Sequence, residues 1–131
     1  MITFDTGVLI ALERRDKTTW DRFRRLREHG VRILVPASCE SEWWRGSPAH
    51  AAIRLAIRPF IAPLTDPIAC AAGEAIGSIG RVARRVTATV TIDAQVMATA
   101  ALSGCRAVLT SDPGDLQLFE RHFRSVTIAP L

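Results

Sequence analysis

Four acids, Asp5, Glu42, Asp93 and Asp112, lie far apart along the chain, yet each falls just after a short apolar segment or early in a helix. Carboxylates brought to one place repel one another unless a cation neutralises them. If these four meet, they call for a divalent ion between them. All-oxygen ligands suit Mg²⁺, with Mn²⁺ as a substitute, better than zinc. No His or Cys cluster has zinc spacing. His29, His50 and His122 are scattered and read as surface residues, His29 at a helix C-terminus where its charge is favourable. One or two ions held by carboxylates can activate a water and neutralise the charge that builds up when a phosphodiester is hydrolysed.

Taken singly, each acid also has a structural reading. Asp5 can cap the short helix that follows it. Asp93 can favour a helix N-terminus through the macrodipole. Asp112 before Pro113, with Asp115 three residues on, has capping-box spacing. Glu42 can pair with Arg45 along one helix. Four acids from four segments on one rim are better explained jointly, by a bound cation.

The elements that must position them follow from the pattern of apolar residues. Ile2 to Phe4 reads as a strand ending at Asp5, and Val8 to Leu12 as one apolar helical turn. Asp16 starts a helix to about His29 that buries Trp20, Phe23 and Leu26 and exposes Arg22, Arg24, Arg25 and Arg27. Val31 to Val35 is a strand closed by Pro36. Helices follow over Ala37 to Arg45 and Pro48 to about Ile57. Phe60 to Leu64, with prolines nearby, is a short edge strand.

Asp66-Pro67 reads as an N-cap with proline at the first helical position. The helix it opens buries Ile68, Ala72, Ile76, Ile79, Ala83 and Val86. Gly73, Gly77 and Gly80 form a second stripe that suggests close approach of another helix, within the chain or across a dimer. Thr91, the last residue of a Thr-rich loop, caps a helix to Ser103. Ala107 to Leu109 is a strand, Pro113 to about His122 a helix, and Val126 to Ile128 a final strand. Short apolar strands alternating with helices indicate α/β, a parallel sheet covered on both faces. In such sheets ligands bind beyond the carboxyl ends of the strands, the rim toward which the four acids point.

At 131 residues, with no repeat or linker, residues 1–131 make a single domain able to bury a core. Hydrophobic residues at 48% and charged residues at 23% are ordinary for a globular protein. No apolar run nears the ~20 residues of a membrane span, so no membrane partner is expected. Met1 to Asp5 lacks the basic start of a signal peptide and reads as mature sequence. Cys39, Cys70 and Cys105, odd in number and set among apolar neighbours, read as reduced core thiols of a cytoplasmic protein. The net charge is +4, and Lys17 is the only lysine among 17 basic residues. Arginine suits nucleic acid through bidentate phosphate contacts and stacking on bases; a biased genomic composition gives the same excess.

Four segments carry a resemblance. Ile2-Thr3-Phe4-Asp5-Thr6, Val35-Pro36-Ala37 through Glu42-Trp43-Trp44-Arg45-Gly46, Asp93 to Ala100, and Leu109-Thr110-Ser111-Asp112-Pro113-Gly114-Asp115-Leu116 resemble, in order, the four acidic motifs of PIN-domain nucleases. Size and strand order look like the VapC-type toxins of toxin–antitoxin pairs. The resemblance spans nearly the whole chain. It implies a three-layer α/β/α PIN-like fold around a central, mostly parallel sheet of four or five strands.

It further implies a Mg²⁺-dependent endoribonuclease with Asp5 and Asp93 as principal metal ligands and Asp112 completing the cluster. Glu42 becomes the acid of the second motif, rather than Glu40, about 200° away around the helix. Thr6 and Thr110 would support the acids, with Asp115 a further member of the last segment. Gly7 departs from the small polar residue often found after Asp-Thr. RNA would be held by Arg22, Arg24, Arg25 and Arg27, the densest patch, and by Arg45 beside the second motif. Trp43 and Trp44 can stack on a base or pack in a core or dimer, and packing is expected for at least one. A homodimer and a cognate VapB-type antitoxin are implied as partners.

Three other readings remain. The first is a catalytically inactive PIN-fold binding or scaffold module. A receiver domain needs an acidic pair after the first strand and a late lysine, whereas Asp5 stands alone and Lys17 comes early. A phosphatase of the haloacid dehalogenase type wants Asp-x-Asp, and Gly7 occupies the second position.

Overall fold

Ile2–Phe4, β-branched and aromatic in composition, forms the central strand β1. It lies between β2 (Ile33–Pro36) and β4 (Ala107–Thr110), which pair with it in parallel, Ile2 opposite both Ile33 and Ala107. β3 (Ile61–Ala62) and β5 (Thr127–Pro130) occupy the two edges. The order β3-β2-β1-β4-β5 gives five strands, all parallel. The computed structural model describes residues 1–80 and 87–131.

Successive connections move from β1 toward β3 and then jump across to β4 and β5. Right-handed crossovers therefore send the two sets of helices to opposite faces. Those between β1 and β3 are α1 (Thr6–Glu13), α2 (Lys17–Glu28), α3 (Ala37–Trp43) and α4 (Pro48–Ile57). Those after β3 are α5 (Asp66–Ile79), α6 (Ala88–Leu102) and α7 (Pro113–Gln117). The result is the three-layer α/β/α arrangement expected from the alternation. α1 packs on α2, α3 and α4, and α6 on α5 and α7. α6 buries Ala94, Val96, Met97, Ala98 and Ala100 completely, so it is apolar nearly all round rather than along one stripe.

Several boundaries differ from the sequence reading, each for a local reason. Asp5 caps α1 directly, so this helix is a full eight residues rather than one turn. Thr87 rather than Thr91 caps α6, its hydroxyl accepting from the Val90 N–H at 3.2 Å, which moves Asp93 from the first turn to the second. Thr65 is the cap residue of α5, leaving Asp66 and Pro67 inside the helix. α3 ends at Trp43 because Trp44 is extended, and α7 stops at Gln117, well short of His122.

Gly73 and Gly77 are exposed, and a Cβ on either would meet nothing within 4 Å, so no helix among the described residues explains the small stripe. Of the long apolar stripe, Ile68 and Ala72 are buried, while Ala83 and Val86 lie outside the described residues. Cys39 and Cys105 are buried, but Cys70 is exposed, against the expectation of three core thiols. No described helix is long and apolar enough to cross a membrane.

Candidate active site

β1 ends at the point where the strand order reverses, with β2 leaving on one side and β4 lying on the other. This is the place where parallel α/β sheets open a crevice. Asp5 is the first residue beyond β1, and its N–H still donates to the Leu109 carbonyl at 3.0 Å. Its carboxylate is held at both oxygens. Oδ1 accepts from the Thr6 N–H at 2.6 Å, capping α1, and Oδ2 accepts from the Thr110 hydroxyl at 2.7 Å. Thr110 is fully buried and its oxygen accepts from the Asp112 N–H at 3.0 Å. That bond leaves the hydroxyl proton for Asp5, so Asp5 is fixed as an acceptor.

Glu42 comes from α3, one turn after its start at the rim. Its Oε2 accepts from the Thr6 hydroxyl at 2.5 Å, not from Arg45, whose Nη1 donates to the carbonyls of Trp44 and Ser41. Asp93 comes from α6 and is only 7% exposed, yet its Oδ2 has no hydrogen-bond partner among the described residues. A buried carboxylate oxygen normally finds a donor. Burial pushes the Asp93 carboxyl up to about 7, and the charges of Asp5, Asp115, Glu42 and Asp112 push it the same way. Asp5 is also raised, because burial and Glu42 outweigh its bonds from Thr110 and Thr6. Asp112 and Asp115 are exposed at the end of β4 and the start of α7, where Asp112 Oδ1 accepts from the Gly114 N–H at 3.2 Å.

All five acids line one hollow of about 530 Å³. The sequence reading of a shared rim thus corresponds to a shared surface. Among the described residues, no three His, Cys, Asp or Glu side chains already stand at the spacing of a closed metal shell. An open, hydrated ion fits this donor set better than a dehydrated one. Mg²⁺ keeps several waters and takes one or two carboxylates directly. Asp93 Oδ2 supplies an uncommitted buried ligand atom, and Asp5, Glu42 and Asp112 each keep acceptor capacity beyond the bonds above.

Comparison by sequence finds no matching family model and no matching curated protein. Comparison by structure finds chains that superpose over nearly their full length. A chain of the Rickettsia felis VapBC2 complex bound to a promoter DNA fragment matches with TM-score 0.76 and 8% identity, covering 100% of this chain and 99% of that one. A chain of FitAcB from Neisseria gonorrhoeae gives 0.66 and 16%, covering 98% and 96%. A chain of a toxin–antitoxin complex from Klebsiella pneumoniae gives 0.66 and 19%, covering 97% and 96%. The chain has a PIN-like fold.

Other expectations fare unevenly against the geometry. Arg45 lines the hollow, as does Arg14, which the sequence reading missed. Arg22, Arg24, Arg25 and Arg27 do not. Arg22 donates to the Pro130 carbonyl, Arg24 pairs with Asp21, and Arg27 lies over the rings of Phe23 and Phe60. Trp43 is buried and Trp44 half-buried, consistent with packing.

His50 overturns the surface reading. It is 8% exposed, stacks on Trp43 at 4.6 Å, and bonds through Nε2 to Glu13 Oε1 at 2.9 Å. Glu13 was also missed, though a signal existed: Thr6, Ile10 and Glu13 have i, i+4, i+7 spacing and share a helix face. Gly7 proves to be a steric requirement. A Cβ there would stand 2.1 Å from the Ser111 hydroxyl, so the polar group that residue 7 lacks is supplied by Ser111.

Proposed function

We propose that this chain is a Mg²⁺-dependent endoribonuclease, the toxin of a VapBC-type toxin–antitoxin pair. The observation that carries the reading is the hollow at the strand-order reversal. Acids from four separate segments face it, and one of them, Asp93, keeps a buried oxygen with no donor among the described residues. Apolar burial gives no reason to collect four carboxylates beside Asp5; a cation does.

In this reading Asp5, Asp93 and Asp112 hold Mg²⁺, or Mn²⁺ in its place, and Glu42 and Asp115 hold its waters. The bound ion supplies a water of lowered pKa and charge neutralisation at the phosphate. The chain's own groups do the rest. Thr110 and the Thr6 N–H orient Asp5 and offset part of the burial that disfavours its ionised form, and the Thr6 hydroxyl turns Glu42 toward the same hollow. Arg14 and Arg45 at its margin bind phosphates that flank the one being cut. Hydrolysis by water leaves 5′-phosphate and 3′-hydroxyl ends.

Similarity to chains of VapBC2 and of a toxin–antitoxin complex supports a cognate VapB-type antitoxin; a homodimer is the working assembly that the resemblance in the sequence implies. A cytoplasmic location goes with an RNA substrate. The test is cleavage of RNA by the purified chain with Mg²⁺, with EDTA, and in Asp93→Asn. Activity that needs the ion, yields 5′-phosphate ends and is lost in the folded variant supports the proposal. Equal cleavage by wild type and variant, freed of host nuclease, overturns it.

One observation favours a second reading, a catalytically inactive binding module: the acids do not yet stand at closed metal spacing. Absence of cleavage with RNA across Mg²⁺ and Mn²⁺ concentrations would favour it.

A further inference from the structure

Outside the five acids, the hollow has a second polar cluster built from three helices. Glu13 ends α1, Trp43 ends α3, and His50 lies in the first turn of α4. Glu13 Oε2 accepts from the Trp43 indole N–H at 2.9 Å, and Oε1 bonds His50 Nε2 at 2.9 Å. The His50 ring stacks on Trp43 with an interplanar angle of 23°. All three residues line the hollow. A role for His50 as a proton donor to substrate does not fit this geometry, because Nε2 is spent on Glu13 and Nδ1 is buried.

α1 and α3 are tied at two places. Near the start of α1, the Thr6 hydroxyl donates to Glu42; at its end, Glu13 receives the N–H of Trp43, the next residue after Glu42. The same helix α1 is capped by Asp5. Glu42 is therefore one fastening to the helix capped by Asp5, and its neighbour Trp43 is the other. α3 is only seven residues long; its last turn is closed by the Trp44 N–H on the Glu40 carbonyl and by Arg54 on the Glu40 carboxylate, and the brace adds the tie to α1.

We propose that Glu13, Trp43 and His50 form a positioning brace for Glu42, setting its distance from Asp5 and so the affinity of the hollow for a divalent cation. Glu13 is then a positioning residue that acts through Glu42 and touches neither ion nor substrate. The inference rests on the cation-site reading above and adds residues that reading does not require.

The test is Mn²⁺ binding by calorimetry to the full chain, with thermal melts to confirm folding. Glu13→Ala and Trp43→Phe, which removes the indole N–H donor together with part of the ring, should each weaken Mn²⁺ binding by about tenfold, the scale of lost support behind a ligand. Glu13→Gln keeps an acceptor for Trp43 and should stay near wild type. In a Glu42→Gln background, Glu13→Ala should have no further effect, which a general loss of stability would not reproduce. Equal weakening in both backgrounds, or a folded Trp43→Phe with unchanged affinity, overturns the brace alone. Equal Mn²⁺ affinity of the wild type and Glu42→Gln likewise overturns the brace alone, whereas failure of the wild type to bind Mn²⁺ more tightly than Asp93→Asn overturns the cation reading and the brace with it.

Discussion

Asp5 and Asp93 are almost equally buried, 8% and 7% exposed, yet their surroundings are opposite. Asp5 receives a donor at each oxygen, from Thr6 and Thr110. Asp93 has a buried oxygen with none. The same division separates the two sides of the hollow. On the α1–α3 side, hydrogen bonds join Thr6 to Glu42 and Glu13 to both Trp43 and His50 Nε2, leaving only the buried His50 Nδ1 without a partner among the described residues of that cluster. On the α6 side, Asp93 is repelled by the other four acids and no described residue donates to its buried oxygen. The carboxylates of one side are held by donors; the acid on the other side is not.

Breaking this contrast at Asp93 should have the largest effect. Asp93→Asn should reduce RNA cleavage to background while the chain stays folded, measured as initial rate beside a thermal melt. It should also change how stability depends on pH. The folded carboxyl titrates at about 7 and the unfolded one near 3.8, so the folded state holds a proton that the unfolded state has released between those values. Its contribution is favourable below about pH 4, is lost as pH rises toward about 7, and is flat above. In chelator, the melting temperature of wild type should therefore fall relative to Asp93→Asn across that window. Saturating Mg²⁺ should close the gap. A constant difference from pH 4 to pH 8 would show that Asp93 carries no such penalty.

The next test spoils the side whose carboxylates are held. Thr110→Val keeps the shape of a fully buried residue but removes the donor to Asp5 and the acceptor for the Asp112 N–H. Supports of this kind are worth about 10–100-fold in metal affinity or activity, so a loss of that size is expected in kcat with KM for RNA nearly unchanged. A change confined to KM would place Thr110 in substrate binding instead.

How much of this division could be read in the sequence depends on whether the interaction was local. The strands and the α/β class were legible because apolar runs and glycine or proline stops are short-range signals. The convergence of the acids was legible because Asp5 and Asp112 follow strands while Glu42 and Asp93 lie within the first two turns of helices that start at the same rim. His50 and Glu13 were not. Their bond joins residues 37 apart, and nothing near His50 hints at a carboxylate. The caps of α5 and α6 were missed by small shifts, because several Thr and Asp residues compete for each helix start and only the folded backbone chooses. The α2 arginines were conspicuous as a run, but density along the chain said nothing about which side of the molecule they occupy.

Gly7 joins the two sides and should give a smaller effect than Thr110. In most helices glycine to alanine is favourable by about 1 kcal/mol. Here the added Cβ would meet the Ser111 hydroxyl and crowd its backbone, pushing Asp112 away from Asp5. Gly7→Ala should therefore lower kcat several-fold without raising the melting temperature. Ser111→Ala, which frees that space, should restore part of the loss. No restoration in the double variant would mean that the clash lies elsewhere.

The smallest effects should come from the arginines, and they separate hollow from surface. Arg14 and Arg45 line the hollow; Arg24 and Arg25 are exposed on α2 and do not. If Arg14 and Arg45 each neutralise one phosphate of a single strand, replacing either with Gln should raise KM a few-fold and leave kcat alone. It should also reduce the slope of log affinity against log salt by about 0.7. Arg24→Gln and Arg25→Gln should change neither, since Arg24 is already paired with Asp21 and exposed pairs contribute little. The same slope change from α2 as from the hollow would mean that RNA runs across both, and that the densest run of basic residues marks its path after all.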